Sequence, residues 1–200
     1  MKFCVGGNSF LISKSSRPEI ETPMNFNQIP PIENNLINAI IETPREIRYK
    51  YKYDPEKEIF MLNKVMPLGM VFPYDFGFIP NTKGEDGDPL DVMLLMEHEV
   101  FPGCLVQCRP IGILKAKQKE PGTEKFRNDR LLAVPQHSFQ YADLTEIEAM
   151  SKELIKKIED FFIDYNARQG REFEVIRWGG PEAAKKAVLK ATVFGATKSK

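Results

Sequence analysis

Asp86, Asp88 and Asp91 fall within six residues, in the stretch Gly84-Glu85-Asp86-Gly87-Asp88-Pro89-Leu90-Asp91. Gly87 lets the chain turn sharply, and Pro89 stiffens it. The apolar run Val92–Met96 that follows reads as a buried strand. Three short carboxylates therefore crowd a tight turn at the mouth of a strand. Like charges this close raise one another's pKa unless a cation neutralises them. Hard oxygen ligands on a semi-rigid turn suit Mg²⁺, Mn²⁺ or Ca²⁺ rather than Zn²⁺. Two blander readings compete. One is a solvated acidic turn, since Asp, Gly and Pro are ordinary turn residues. The other is an EF-hand loop starting at Asp86, which fails because Leu90 stands at the fifth position and Asp91 where the sixth requires Gly.

Cations and a phenol are available to face that turn. Lys50 and Lys52 project from one face of an alternating stretch, and Lys64 follows the next strand. Arg130 precedes Leu131-Leu132-Ala133-Val134-Pro135, and Tyr165 lies on a long helical pattern. Carboxylates holding metal opposite Lys and Arg are what phosphoryl transfer to water needs. Metals neutralise phosphate oxygens and acidify the attacking water, cations hold the leaving phosphate, and a carboxylate takes the proton.

The elements that must position them come from pattern. Residues 1–33 read as an extension, with Pro18, Pro23, Pro30 and Pro31 among Ser, Asn and Glu. Strands are expected over 36–42, 47–53 and 58–62, with Asp54-Pro55-Glu56-Lys57 as a turn. Met66–Pro80, dense in aromatics, Gly and Pro, reads as a packed loop of the kind that walls active sites. Strands resume over 104–117 and 131–134, and Pro121-Gly122 marks a polar loop between them. Thr145 and Glu148 form a capping box, so a helix is expected from Thr145 to a stop at Gly170. A second helix runs from Pro181 toward Val193. Strands first and helices last predict an α+β, mainly β domain over 34–195, a small β-barrel with two C-terminal helices packed on it, and a short tail at 196–200.

Composition excludes several classes. The chain has 200 residues and 42% apolar content, enough for one cored domain. Lys and Arg total 28, as do Asp and Glu, so net charge is zero. That argues against a general nucleic-acid or acidic-membrane binder. Cys4, Cys104 and Cys108 are too few for a disulfide framework and read as reduced thiols. No secretory or membrane-spanning run is present, so a soluble cytoplasmic protein is expected.

Asp86-Gly87-Asp88-Pro89-Leu90-Asp91-Val92 resembles the signature of the family I soluble inorganic pyrophosphatases. The resemblance runs from about Pro31 to Ala191. It takes in Ile41-Glu42-Thr43-Pro44, Lys50-Tyr51, Phe72-Pro73, Gly77-Phe78-Ile79, Cys108-Arg109-Pro110-Ile111-Gly112, Leu131–Pro135 and Phe161–Tyr165. It implies a five-stranded OB-like β-barrel with peripheral helices, Mg²⁺ dependence, pyrophosphate as substrate and a homo-oligomer, usually a hexamer in prokaryotes. It further implies that Asp86 and Asp91 are metal ligands and that Asp88 contacts metal and serves as general base. Glu42 would hold metal directly or through water, and Lys50, Lys64, Arg130 and Tyr165 would bind phosphate oxygens.

The departures from that pattern cluster at the chemistry. Lys52 stands where the family usually has Glu, and Lys64 where it has Arg, which loses a planar fork for phosphate. Phe72 and Phe76 replace two Tyr. A second Asp pair becomes Asn128 and a position near Gln118. Arg130 replaces Lys, and Asn166 replaces a Lys after the helix Tyr. Asn128 is a weaker ligand for a hard cation. Glu120, Glu124 and Asp129 are the loop carboxylates that could substitute, with Asp129 pointing away from Asn128 if both lie on a strand. Two further readings follow: a catalytically weakened paralogue that binds phosphate compounds or a protein partner, and a hydrolase retuned to another phosphate substrate.

Overall fold

The computed structural model describes residues 26–193. The first 25 residues of the expected extension, Cys4 and the expected tail lie outside the described residues. Within them, the strands are β1 (Ile32–Glu33), β2 (Leu36–Thr43), β3 (Tyr49–Asp54), β4 (Ile59–Val65) and β5 (Asp75–Phe78). They continue with β6 (Asp91–Leu94), β7 (Leu105–Lys119), β8 (Phe126–Arg127) and β9 (Arg130–Pro135). Helix α1 (Lys152–Ala167), strand β10 (Glu172–Gly179) and helix α2 (Pro181–Ala191) complete the chain.

Five strands close a ring. β2 pairs with β5, β5 with β6, β6 with β9, β9 with β7, and β7 returns to β2. Only the β6–β9 pairing is parallel among these. The apolar alternation in β2 serves two layers. Ile37, Ala39 and Ile41 join Val92, Leu94, Ile113, Leu131 and Ala133 in one buried cluster, while Ile40 packs with Phe26 and Phe78 in another. Strand β7 is long enough to meet β2 at Leu105–Cys108, β9 along its middle and β10 at its end. Pro110 removes a ladder donor there, and the register of β7 on β9 shifts between Pro110 and Gly112.

Several elements differ from expectation. Met66–Pro80 is not loop throughout: Asp75–Phe78 is a fully buried strand. Its entry into the ring depends on Gly77, because a Cβ there would stand 2.0 Å from the Ile40 carbonyl oxygen. The hairpin strands β3 and β4 sit one to three residues later than expected and form their own two-stranded sheet. The helix does not begin at Thr145. Ile147 and Met150 are buried anchors, Ile147–Ala149 makes one 3₁₀ turn, and Met150 is extended. Ser151 is the true cap, its Oγ accepting a hydrogen bond from Leu154 N–H at 3.2 Å. Gly170, at φ +70°, follows the helix as expected.

Strand β10 was not expected at all. It pairs antiparallel with the far half of β7, inserted between the two helices. Ile158, Phe162 and Tyr165 of α1 bury against the core side that includes Phe76, Leu132 and Phe173, and Ala184 and Val188 of α2 bury against the other cluster. No helix among the described residues is long and apolar enough to cross a membrane.

Candidate active site

The Asp turn is held by its own hydrogen bonds. Thr82 Oγ1 donates to the Ile79 carbonyl at 2.6 Å and accepts from Leu90 N–H at 2.9 Å. Gly84 N–H donates to the Asp88 carbonyl at 2.8 Å, and Asp88 N–H donates to Asp86 Oδ1 at 3.1 Å. Gly87 takes φ +87°, which its lack of a Cβ permits. Burial pushes the Asp86 carboxyl up, and the charges of Asp91 and Asp88 push it further.

Strand register delivers the cations. Asp91 and Arg130 are direct partners across the parallel β6–β9 pair, and Arg130 Nη1 lies 2.8 Å from Asp91 Oδ2. Lys50 and Lys64 are partners across the β3–β4 hairpin. Two residues along β3, Lys52 Nζ lies 2.9 Å from Asp88 Oδ2. Glu42, at the end of β2, accepts a hydrogen bond from Tyr53 N–H at 2.9 Å. Burial pushes its carboxyl up to about 7 against the pull of that bond and of Lys50, and the Asp91 charge adds to the rise.

Lys50 Nζ sits over three rings, 5.6 Å from Phe72, 5.3 Å from Phe76 and 5.4 Å from Tyr165. The two Phe side chains are buried and close the cage. Burial alone would raise the Tyr165 phenol; the Lys50 charge, the Gln169 hydrogen bond and the Lys64 charge together hold it below the ordinary value. Burial also lowers Lys64, which donates to Gln169 Oε1. Asn166 does not reach this cage: its buried amide donates to the Phe162 carbonyl one turn back, at 2.8 Å.

Gln118 and Asn128 do come together across the loop. Asn128 Nδ2 donates to Gln118 Oε1 at 3.1 Å, and Arg130 Nη1 donates to Asn128 Oδ1. Gln118 Nε2 reaches Glu120 Oε1 at 3.3 Å, and Arg171 Nη2 meets the same oxygen at 2.9 Å. Neither Asn128 nor Asp129 lies in a strand, since β8 ends at Arg127 and β9 begins at Arg130. Asp129 is committed elsewhere, accepting from Ala116 N–H at 3.0 Å and from Arg127 Nη2 at 2.7 Å. Sequence reasoning missed Gln169 and Arg171. Gln169 lies one helical turn beyond Tyr165, a spacing that could have flagged it.

The two ends of this site differ in what they can hold. Among the described residues no three carboxylate, imidazole or thiol groups converge as a ready metal cluster. The Lys52–Asp88 pair is about half exposed, and such pairs contribute roughly 1 kcal/mol or less. A hard divalent cation at Asp86 and Asp88 can displace Lys52, so that end fits a metal. The Gln118–Asn128 end offers neutral oxygens already engaged as acceptors and does not fit one.

A closed ring of strands thus carries an Asp-rich turn whose carboxylates are met by Lys52 and Arg130. The family model described as inorganic pyrophosphatase matches residues 39–194, and the chain belongs to this family. Inorganic pyrophosphatase of Geobacillus stearothermophilus is 35% identical over 156 residues, covering 78% of this chain and 92% of the relative. Soluble inorganic pyrophosphatase 2 of Chlamydomonas reinhardtii is 33% identical over 154 residues, covering 77% and 78%. The crystal structure of inorganic pyrophosphatase from Thermus thermophilus superposes with a TM-score of 0.76 at 28% identity, over 84% of this chain and 96% of that one. The family implies a divalent metal cofactor.

Proposed function

We propose that this chain hydrolyses inorganic pyrophosphate to two phosphates with Mg²⁺ as its cofactor. The observation that carries this is the hydrogen-bonded turn presenting Asp86, Asp88 and Asp91 with Lys52 and Arg130 on its carboxylates. Asp86, Asp88 and Asp91 would hold Mg²⁺, with Glu42 holding it directly or through water. Bound there, Mg²⁺ supplies charge neutralisation of phosphate oxygens and acidifies a water. Asp88, once released by Lys52, would accept the proton of the attacking water as the water oxygen bonds to one phosphorus and the bridging bond from that phosphorus to oxygen breaks, releasing the second phosphate. Lys50 and Lys64 hold oxygens of the departing phosphate, and the depressed phenol of Tyr165 contributes a hydrogen bond beside them. Arg130 offsets charge that gathers at Asp91 and adds to the positive field the phosphates meet. Three cysteines, too few for a disulfide framework, support a cytoplasmic setting, and family membership supports a homo-oligomer.

A second reading, a phosphate binder with little turnover, is favoured by one arrangement: Lys52 occupies the proposed base and an amide pair sits opposite. Phosphate release from pyrophosphate, tripolyphosphate and a nucleoside triphosphate, with and without Mg²⁺, separates the readings. Mg²⁺-dependent release from pyrophosphate above the others supports the first. Calorimetric binding without release overturns it in favour of the second.

A further inference from the structure

One end of the site carries its own cation. Arg130 is buried, with its guanidinium 5.7 Å from the rings of both Phe162 and Phe173. Its Nη1 donates to Asp91 and to Asn128 Oδ1, and Asn128 in turn binds Gln118. Gln118 continues to Glu120, and Glu120 to Arg171. This line of side chains contains two carboxylates, Asp91 and Glu120, and two guanidiniums, Arg130 and Arg171. Its net charge is zero, and its two amides add none. At its Gln118–Asn128 end the two amides carry no charge for a divalent cation to neutralise.

We infer that Arg130 and the Gln118–Asn128 amide pair stand in place of a divalent cation, so that cations bind only at the turn of Asp86, Asp88 and Asp91. Both amide oxygens already accept hydrogen bonds, so a cation would first have to break the pair. A cation on Asn128 Oδ1, at the 2.0–2.6 Å that Mg²⁺ and Ca²⁺ require, would stand within about 5 Å of the Arg130 guanidinium. Repulsion at that distance in a partly buried setting weakens binding by orders of magnitude. Lys52 acts differently at the other end: half exposed, it guards Asp88 only until a stronger cation arrives. The Gln118–Asn128 pair thus sets how many metals the site takes, and Lys52 sets how tightly. The inference rests on the reading of the Asp turn as a metal site.

The test is a count of Mn²⁺ bound per chain, by electron paramagnetic resonance of free Mn²⁺ against the full-length protein without substrate. Asn128→Ala should leave the number and affinity unchanged, and the Gln118→Asp/Asn128→Asp pair should gain at least one Mn²⁺ per chain. Lys52→Met should keep the parent's number and bind about 10-fold tighter. Loss of a bound Mn²⁺ in Asn128→Ala would overturn the inference, as would equal counts in the parent and a folded Asp pair. If the Asp pair fails to fold, Asn128→Ala still decides. Failure of the Asp-turn reading looks different: Asp86→Asn would then leave the parent's count unchanged.

Discussion

The backbone N–H of Tyr53 donates to Glu42 Oε1 at 2.9 Å, tying the end of β2 to the exposed β3–β4 hairpin through a buried carboxyl. Burial pushes that carboxyl up to about 7, so the folded chain holds its proton more tightly than the unfolded chain, where Glu titrates near 4.5. Between those values the native state binds more protons, and stability falls as pH rises. The full loss is about 3 kcal/mol as an upper bound, complete above the folded value. Urea midpoints of metal-free protein should therefore drop from pH 5 to pH 8, and Glu42→Gln should flatten that drop. Equal slopes for the two proteins would contradict it.

The Lys50 cage predicts two linked effects. Lys50→Met removes the cation that Phe72, Phe76 and Tyr165 surround. Pyrophosphate turnover should fall on the order of 10²-fold, the scale for loss of one stabilising group at a transition state. The Tyr165 phenol should titrate higher, because the largest influence lowering it is gone. Phosphate release and the difference absorbance of phenolate, with Tyr165→Phe as the blank, check both.

Gly77 faces the Ile40 carbonyl so closely that Ala cannot be accommodated without moving backbone. Gly77→Ala should destabilise the chain by about 3 kcal/mol or more, at or beyond the upper end for overpacking. A thermal midpoint within a degree or two of the parent would show that β2 and β5 can separate there.

These same contacts mark what was legible in the sequence. The Asp turn, the strand at 36–43 and the helical period of α1 were readable because each is local: turn chemistry, alternation and a 3.6-residue repeat. Strand β10 was not, because Glu172, Glu174 and Arg177 interrupt its apolar side chains and Gly170 and Pro181 bracket it like a linker. Its place is decided by β7, more than fifty residues earlier in the chain at every pairing. The capping box at Thr145 misplaced the start of α1, because the burial of Ile147 and Met150 turns that segment into a 3₁₀ turn and the helix begins only after Ser151. Lys52 on Asp88 and Asn128 on Gln118 depend on register between strands and loops far apart in sequence, which composition does not encode.

Arg109 Nη2 donates to the carbonyls of Tyr141, Ala142 and Leu144 at 3.0, 3.0 and 2.9 Å, fastening the segment that leads into the 3₁₀ turn. Arg109→Met strands those acceptors and should lower stability by about 2 kcal/mol. Denaturant midpoints with an unchanged slope would confirm a stability effect, and hydrogen exchange should quicken first at residues 141–150. Uniform exchange across the chain would contradict this local role.

The most direct measurement is Mg²⁺-dependent phosphate release from pyrophosphate by the parent and by Asp88→Asn, prepared together and matched by circular dichroism. The account predicts release by the parent and a fall on the order of 10²–10⁴-fold in the variant, the range for loss of a general base. Release by Asp88→Asn at the parent's rate would contradict the role given to Asp88.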